Sequence, residues 1–298
     1  FREVDAEVST NSRGHFTFSA PGGIYKLGGD DVRDFPKVKR FGSHPSISLP
    51  AAELVRLLKQ TEFAAAVDAI RFSIDGINFE LGEGRLRLVT TDNRRLAIAQ
   101  TSVVTDQSFQ MVIRAKSARA LLRVIGKELT GDVKISCAEN YLLFALPNAT
   151  VSCLGLSGKF PPYKDALVID LSKSIDISAE EFDELLQRSA LIEDADTIFD
   201  FVEDKLEIKT VSKRDGESSV HMPVAYPGPA TRIGFKPALL RAGLDALVGK
   251  RCRLKFENHL RACMMRELAV QDGNVVELDN FCYLVMPYQL PGEDEASA

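Results

Sequence analysis

The sequence is poor in the residues that build metal centres, disulfide frameworks and membrane spans. Only five of its 298 residues are cysteine and four are histidine. The cysteines form no CxxC pair and lie in apolar runs, which favours buried, reduced thiols. No apolar run approaches the roughly 18 residues of a membrane-spanning helix, and the first ten residues lack the regions of a signal peptide. We expect no metal, no cofactor and a cytoplasmic location.

The composition is that of an ordinary globular protein, with 45% hydrophobic and 27% charged residues. The formal net charge of −5 argues against a surface covered in positive charge. It leaves room for a local basic surface, because the distribution of charge decides contact with nucleic acid. A chain of this length is too long for one compact core, so two or three domains are expected.

One strand–helix pattern recurs along the chain. ISLPAAELVRLLKQ from Ile47 and IDISAEEFDELLQR from Ile175 keep the same apolar spacing. Each predicts a short strand running into a helix with apolar residues at i, i+3 and i+4, and Ser178 suits the helix start in the second. MVIRAKSARALLRVI from Met111 and TRIGFKPALLRAGLDAL from Thr231 repeat the pattern, and strand-rich stretches follow both.

The repeats predict an α+β fold of tandem duplicated domains, each made of two strand–helix–strands halves. HFTFSAPGGIYKLGGDDVRDFP, from His15, parallels YLLFALPNATVSCLGLSGKFPP, from Tyr141. A repeat of about 125 residues is too long for a solenoid and indicates whole duplicated domains. We predict that residues 1–44 are the C-terminal part of a first domain, 45–170 a second domain, and 171–298 a third domain with a short acidic tail.

No catalytic motif accompanies the repeats. GLSGK, residues 155–159, resembles a phosphate-binding loop or a nucleophile elbow, but Cys153, Lys159 and Phe160 stand where those motifs need other residues. The chain is therefore interpreted as a binding protein and not as an enzyme. An enzyme with an unrecognised cleft stays a rival, and it would show convergent ionisable side chains there.

Basic residues step along two of the predicted helices, on the side away from the apolar stripe. Such a face is either a solvated surface or a weak, sequence-independent attraction for phosphates. The candidate cations are Arg56, Lys59, Arg114, Lys116, Arg119, Arg123 and Lys127.

Four motifs in order carry a resemblance to a known family: DGINFELGEGRLRLVTTD from Asp75, TTDNRRLA, KFPPY and YLVMPYQL. With the duplicated halves they resemble the bacterial sliding clamp, the beta subunit of DNA polymerase III, lacking the first half of its first domain. The resemblance implies a head-to-tail homodimeric ring of six domains, with helices lining the hole and sheets outside. Such a ring encircles duplex DNA without reading its sequence and tethers the polymerase for processive synthesis. The candidate cations would face the DNA.

The resemblance also implies a groove between the second and third domains, with an apolar floor and polar rims. Peptides of the DNA polymerase III catalytic subunit, the clamp loader, repair polymerases and other clamp-binding proteins would dock there. By position, the groove residues are Ile74, Thr91, Asn93, Arg94, Arg95, Leu96, Pro161, Asp165, Ala166, Lys236, Leu239, Leu260, Ala262, Leu284, Met286, Pro287, Tyr288 and Gln289. Those that depart from the family pattern are Asn93, Arg94, Asp165 and Gln289.

For self-association, the resemblance implies that Tyr25, on an edge strand of the first domain, meets Leu191 and Ile192 in the last domain of a second copy. The half domain and the altered groove favour one alternative. It is a clamp-like paralogue or truncated scaffold that binds peptides without encircling DNA.

Overall fold

The structure is a computed structural model that describes residues 5–11, 14–34, 38–42, 44–66, 75–126, 130–192 and 195–290. Its described residues mix strands and helices, which confirms the predicted α+β class. The chain divides into two compact units, residues 1–40 and residues 41–298.

The first unit contains one antiparallel sheet of three strands, β1 (Glu7–Thr10), β2 (Phe16–Ala20) and β3 (Gly23–Leu27), in that order. Strand alternation and register put five large apolar side chains on the same face. Each is between 37% and 66% exposed, and no described residue of the unit is buried. The five are Val8, Phe16, Phe18, Tyr25 and Leu27.

The second unit contains two modules of the same element order. The first module is β4 (Ile47–Pro50), α1 (Ala51–Lys59), β5 (Gly76–Gly82), β6 (Arg85–Thr91), β7 (Arg95–Ser102), β8 (Phe109–Arg114), α2 (Ala115–Ile125), β9 (Asp132–Ala138), β10 (Tyr141–Ala145) and β11 (Thr150–Leu154). The second module is β12 (Lys173–Ser178), α3 (Ala179–Ser189), β13 (Asp196–Val202), β14 (Lys205–Ser212), β15 (Gly216–Pro223), β16 (Thr231–Gly234), α4 (Pro237–Asp245), β17 (Arg251–Phe256), β18 (Cys263–Gln271) and β19 (Asn274–Val285).

The two halves of each module exchange their first strands. In the first module β4 pairs with β9 and β8 pairs with β5. In the second module β12 pairs with β17 and β16 pairs with β13. The repeated sequence predicts the halves, and the structure adds that each half completes the sheet of the other.

A continuous sheet joins the modules. Its eight strands run β12-β17-β18-β19-β7-β6-β5-β8, and we name the β7–β19 junction the seam. There Leu96 lies opposite Leu284, and Ile98 lies opposite Cys282. The two remaining sheets run β11-β10-β9-β4 and β15-β14-β13-β16, so β11 and β15 are edge strands.

The helices cover one face of the sheets, which we name the inner face. The predicted apolar stripes are confirmed, since Leu54 and Leu57 of α1 and Phe182 and Leu185 of α3 are fully buried in the main core. The Ser178 hydroxyl accepts a hydrogen bond from a backbone N–H in the first turn of α3, as predicted from its capping position.

A second apolar cluster, the outer cluster, lies on the opposite face of the eight-stranded sheet. It contains Leu96, Ile98 and Leu284 of the seam. Residues 160–171, which join the modules and are named the linker, pack onto it through Phe160, Tyr163 and three partly buried aliphatic side chains. Strand β7 is thus buried on both faces, with alanines inside and larger side chains outside.

All five cysteines are free thiols and four are buried, in agreement with the prediction from their sequence context. Burial raises the pKa of Cys153 and of Cys282 to about 11. Among the described residues, the helices are too short or too polar to span a bilayer.

Candidate functional site

The tip of the β6–β7 hairpin is fixed by its own polar side chains. The Asp92 carboxylate accepts hydrogen bonds from the backbone N–H groups of Arg94 and Arg95, both at 3.0 Å. The Thr91 hydroxyl donates to the Arg95 carbonyl at 2.7 Å. Asn93 has a left-handed φ of +71°, a conformation that asparagine tolerates better than most residues. The polar stretch TTDN therefore encodes a rigid tip.

The tip is attached to the segment that follows β19. The Met286 backbone N–H donates to the Arg94 carbonyl at 2.8 Å. Beneath this contact, Leu96 and Leu284 lie side by side in the outer cluster, and Ala262 packs against that cluster. Met286 is 45% exposed and Leu260, in the β17–β18 loop, is 68% exposed. We name this surface, with its apolar floor and exposed rim, the groove.

Arg95 and Leu239 lie on the inner side of the seam and not with the groove floor. The Arg95 guanidinium bonds to Asp92 at 2.9 Å and stands 5.5 Å from the centre of the Phe63 ring. Phe63 contacts the Tyr283 ring, and the Tyr283 hydroxyl donates to the Leu239 carbonyl at 2.8 Å. These contacts link the two modules on the helix side, and the place of Arg95 and Leu239 in the groove wall stays a prediction.

The segment after β19 is held against the second module. The Tyr288 backbone N–H donates to the last carbonyl of β16 at 3.0 Å, and its hydroxyl donates to the Thr197 carbonyl at 2.8 Å. Lys236 is exposed two residues beyond β16, at the start of α4. Pro287 is half-buried and Gln289 exposed.

The linker crosses the outer face of the sheet from β5 towards β12. At its start, the Tyr163 hydroxyl donates to Glu80 at 2.8 Å, and the Lys164 ammonium lies 3.2 Å from the same carboxylate. Pro161 and Asp165 line a cavity of about 500 Å³ above β5 and β8, together with Tyr163, while Ala166 is exposed. The structure thus places Pro161 and Asp165 on the outer face of the eight-stranded sheet, beside β5 and β8.

Glu80 anchors the linker electrostatically. Burial alone would raise the pKa of its carboxyl group, but the Tyr163 hydrogen bond and the positive charges of Lys164 and Arg87 outweigh burial and lower the pKa. Burial and the facing Glu80 carboxylate raise the pKa of the Tyr163 phenol. Neither residue was predicted as functional, because a tyrosine and a glutamate 83 positions apart carry no joint sequence signal.

Most of the predicted cations stand exposed on the helix side of the first module. They are Lys59, Lys116, Arg119 and Arg123, and Arg114, the last residue of β8, is exposed as well. Arg119 lies 3.3 Å from Glu62 and keeps half of its side chain exposed. Helices α1 and α2 contact each other, so these charges share one surface, which we name the basic helix surface.

Arg56 is not part of that surface. Its guanidinium bonds to Glu53 and to the Gln60 side chain, both at 2.5 Å, and to the Gln100 carbonyl at 2.9 Å. Gln60 in turn donates to the Ala246 carbonyl at 3.1 Å. The charge of Arg56 is therefore compensated at the inner side of the seam, and its DNA-facing role stays a prediction.

The residues predicted for self-association are exposed. In the second module, Leu191 is 81% exposed and lines a cavity of about 740 Å³ with Ile192 and Val211, beside the edge strand β15. In the first unit, Tyr25 on the edge strand β3 is 66% exposed. Two further predicted site residues, Ile74 and Lys127, lie outside the described residues.

Comparison with known proteins gives consistent matches. The family described as the DNA polymerase III beta subunit, central domain, matches residues 48–162. The beta sliding clamp of Chlamydia pneumoniae is 26% identical over 255 residues, which are 83% of this chain and 69% of that protein. The beta sliding clamp of Bacillus subtilis is 26% identical over 264 residues, 85% of this chain and 68% of that protein.

Solved structures share the fold. The DNA polymerase III subunit beta of Pseudomonas aeruginosa has a TM-score of 0.83 and 22% identity, covering 97% of this chain and 77% of that chain. A Pseudomonas aeruginosa sliding clamp bound to griselimycin gives the same TM-score at 23% identity. The matched central domain, the relatives aligned along most of the chain and the shared fold lead to one conclusion. Residues 48–162 match the central domain of the DNA polymerase III beta subunit, and the chain as a whole is similar to bacterial beta sliding clamps in sequence and in fold.

Proposed function

We propose that the protein is a sliding clamp that encircles duplex DNA, holds it by topology and tethers a polymerase without itself being a catalyst. The observation that carries the proposal is the placement of two surfaces on opposite faces of one sheet. The basic helix surface lies on the inner side, and the groove lies on the outer side. A ring needs this division, because DNA must pass inside while partner proteins bind outside.

The inner charges suit a sliding contact. Lys116, Arg119 and Arg123 lie on one exposed helix side, where lysine and arginine attract phosphates without reading bases. Their attraction is sequence-independent and weakened by salt, so DNA held inside a ring would be free to move along its axis. The predicted domains, 1–44, 45–170 and 171–298, are part of this proposal.

Self-association follows the pattern of the seam. In the seam, the last strand of a first half, β7, pairs with the last strand of a second half, β19. Strands of the same two kinds are edge strands elsewhere: β15 is the last strand of a first half, and β3 follows β2 as β11, the last strand of a second half, follows β10. We place β15 of one copy beside β3 of a second copy, where Leu191, Ile192 and Tyr25 would be covered and a head-to-tail dimer would close.

The groove would take short peptides from partner proteins. Its floor of Leu96 and Leu284 and its rim of Arg94, Met286 and Leu260 suit an apolar peptide side chain held by polar backbone contacts. The partners within this proposal are the polymerase catalytic subunit, the clamp loader, repair polymerases and other proteins with clamp-binding peptides. All of them work on chromosomal DNA, inside the cell.

Retention on circular DNA tests the proposal. The full chain is loaded onto nicked circular plasmid with a clamp loader and separated from free protein by gel filtration, and the plasmid is then cut once. A ring stays bound to the circle and leaves after cutting, because it slides off the ends. Protein that stays bound to the linear product, or that never survives filtration on the circle, contradicts the proposal and supports the non-encircling scaffold.

A further inference from the structure

A second cavity lies on the other side of the linker from the groove. Its volume is about 380 Å³, and we name it the rear pocket. Ile98 of β7 and Cys282 of β19 form its floor, and Leu167 and Val168 of the linker form one wall. Val168 is 86% exposed, an unusual position for a large aliphatic side chain.

The floors of the rear pocket and of the groove are continuous. Along the seam, the pair Leu96–Leu284 is followed two residues further by the pair Ile98–Cys282. Both pairs belong to the outer cluster, onto which the linker packs. The groove lies towards the hairpin tip, and the rear pocket lies towards Gln100 at the opposite end of β7.

Positive charge dominates the lining of the rear pocket. Four of its lining residues are basic and two are acidic. Arg87 lies 3.4 Å from Glu80 and 3.5 Å from Glu83, and its Nε–H donates to the Gln100 side chain at 2.9 Å. Arg266 lies 3.2 Å from Asp279. The floor between these two guanidinium groups is apolar. A ligand that matches this arrangement carries an aliphatic side chain next to a carboxylate.

We propose that the rear pocket binds a second part of the same partner peptide that occupies the groove, an aliphatic residue followed directly by an acidic residue. The aliphatic side chain lies on Ile98 and Cys282, beneath Val168, and the carboxylate is held between Arg87 and Arg266. This inference rests on the proposed function of the groove. It makes each partner bind on both sides of the linker, so the sequence that flanks the groove-binding residues sets partner preference.

Two isosteric dipeptides test the rear pocket directly. Acetyl-Leu-Asp-amide and acetyl-Leu-Asn-amide are titrated separately into the full chain labelled at the isoleucine δ1 methyl groups. We expect the Ile98 signal to shift with the Asp peptide and the Asn peptide to bind about tenfold more weakly, because charge-assisted hydrogen bonds are about twice as strong as neutral ones. Equal affinities, or shifts that spare Ile98, overturn the inference.

Variants separate the carboxylate site from the apolar site. Arg87→Gln should remove the difference between the two peptides, whereas Arg214→Gln, at an exposed arginine of the β14–β15 loop, should leave it unchanged. Val168→Asp should weaken the binding of both peptides. Because Val168 is exposed, the substitution should leave the fold intact. An Arg87→Gln protein that still prefers the Asp peptide contradicts the assignment.

Titration with a clamp-binding peptide of the polymerase catalytic subunit and retention on circular DNA report on the groove and the ring independently. If both succeed while the dipeptides show no preference, only the rear pocket is wrong. If retention fails while the Ile98 shift and its charge preference persist, the proposed function is wrong and the pocket stands.

Discussion

Among single residues, Glu80 fixes the start of the linker, because its carboxylate accepts a hydrogen bond from Tyr163 and pairs with Lys164. Removal of the tyrosine hydroxyl leaves the carboxylate with one hydrogen bond fewer. Tyr163→Phe should therefore lower the free energy of unfolding by about 1–3 kcal/mol, measured by urea denaturation at pH 7. Tyr141→Phe, at a half-buried tyrosine of β10, is the matched control and should change it by less.

The effect should depend on pH with a defined sign. The pKa of Glu80 is lowered in the folded protein, so its stabilisation is complete above the ordinary carboxyl pKa of 4.5 and is lost as the pH falls through the folded value. The difference in stability between the wild type and Tyr163→Phe should shrink below pH 4.5. A difference that stays constant down to pH 3 contradicts the role of the ionised carboxylate.

Arg95 and Met286 should behave differently although both were predicted for the groove. Met286→Ala removes an exposed rim side chain, so we expect weaker binding of a clamp-binding peptide of the polymerase catalytic subunit and a nearly unchanged unfolding midpoint. Arg95→Ala removes the Asp92 ion pair and the Phe63 contact, so we expect a loss of about 1–3 kcal/mol in stability and a smaller change in affinity. Calorimetric titration and urea denaturation of both variants measure the contrast, and the reverse pattern would return Arg95 to the groove wall.

The sequence predicts the tip of the hairpin well and the face of Arg95 poorly. Thr91, Asp92 and Asn93 are turn-forming residues whose side chains bond to nearby backbone, which is a local effect. Residues 96–99, LAIA, are all buried, because helices cover one face of β7 and the linker covers the other. A strand that is apolar on both faces has lost the alternation from which the direction of Arg95 could be predicted.

At the scale of helices and strands, the features that the sequence predicts are local, and those that it does not predict are contacts between distant segments. The helices were predictable because a stripe such as Leu54, Leu57 and Leu58 repeats within one segment. The exchange of β4 and β8 and the β7–β19 seam were not, because strand partners are selected through backbone hydrogen bonds that leave no mark on side-chain pattern. Internal duplication of the sequence indicates that the modules are alike but not how they join.

Packing of α4 against β19 leaves no room for a side chain at Gly243. A Cβ atom there would lie 2.4 Å from the ring of the fully buried Tyr283. In an open helix Gly→Ala gains about 1 kcal/mol, but here overpacking should prevail and Gly243→Ala should destabilise the protein by about 1–3 kcal/mol. Urea denaturation measures the effect.

Two further variants identify the cause of that effect. In a Tyr283→Leu background, the Gly243→Ala change should cost less, because the ring that it meets is gone. Gly82→Ala, where a Cβ would meet nothing within 4 Å, should be nearly neutral. An equal loss of stability with and without the Tyr283 ring would mean that the close contact is not the cause.

For the whole molecule, the basic helix surface should determine how the affinity for DNA responds to salt. Each phosphate contact contributes about 0.9 to the slope of log K against log salt. The double variant Arg119→Ala/Arg123→Ala should therefore reduce the slope by up to about 2, equally for duplexes of different sequence. The affinity of the free protein for a short linear duplex, titrated between about 50 and 200 mM salt, measures the slope.

The matched control neutralises two exposed lysines elsewhere in the first module. Lys134 lies on β9 between two inward-facing core residues, and Lys159 lies in the segment before the linker. Lys134→Ala/Lys159→Ala should leave the slope unchanged, although it removes the same net charge. If both double variants reduce the slope equally, the net charge of the protein and not the basic helix surface determines the salt dependence of DNA binding.

The exchange of first strands has a consequence for how the polypeptide can be divided. The segment between β7 and β8 includes Val104, whose side chain is fully exposed, so a break there disturbs little packing. Each of the two resulting pieces carries a strand that completes the other and lacks one that completes itself. The two halves of the first module should therefore fail to fold apart and should reconstitute when the pieces are mixed, which makes this bend a natural point for splitting the protein into a complementing pair.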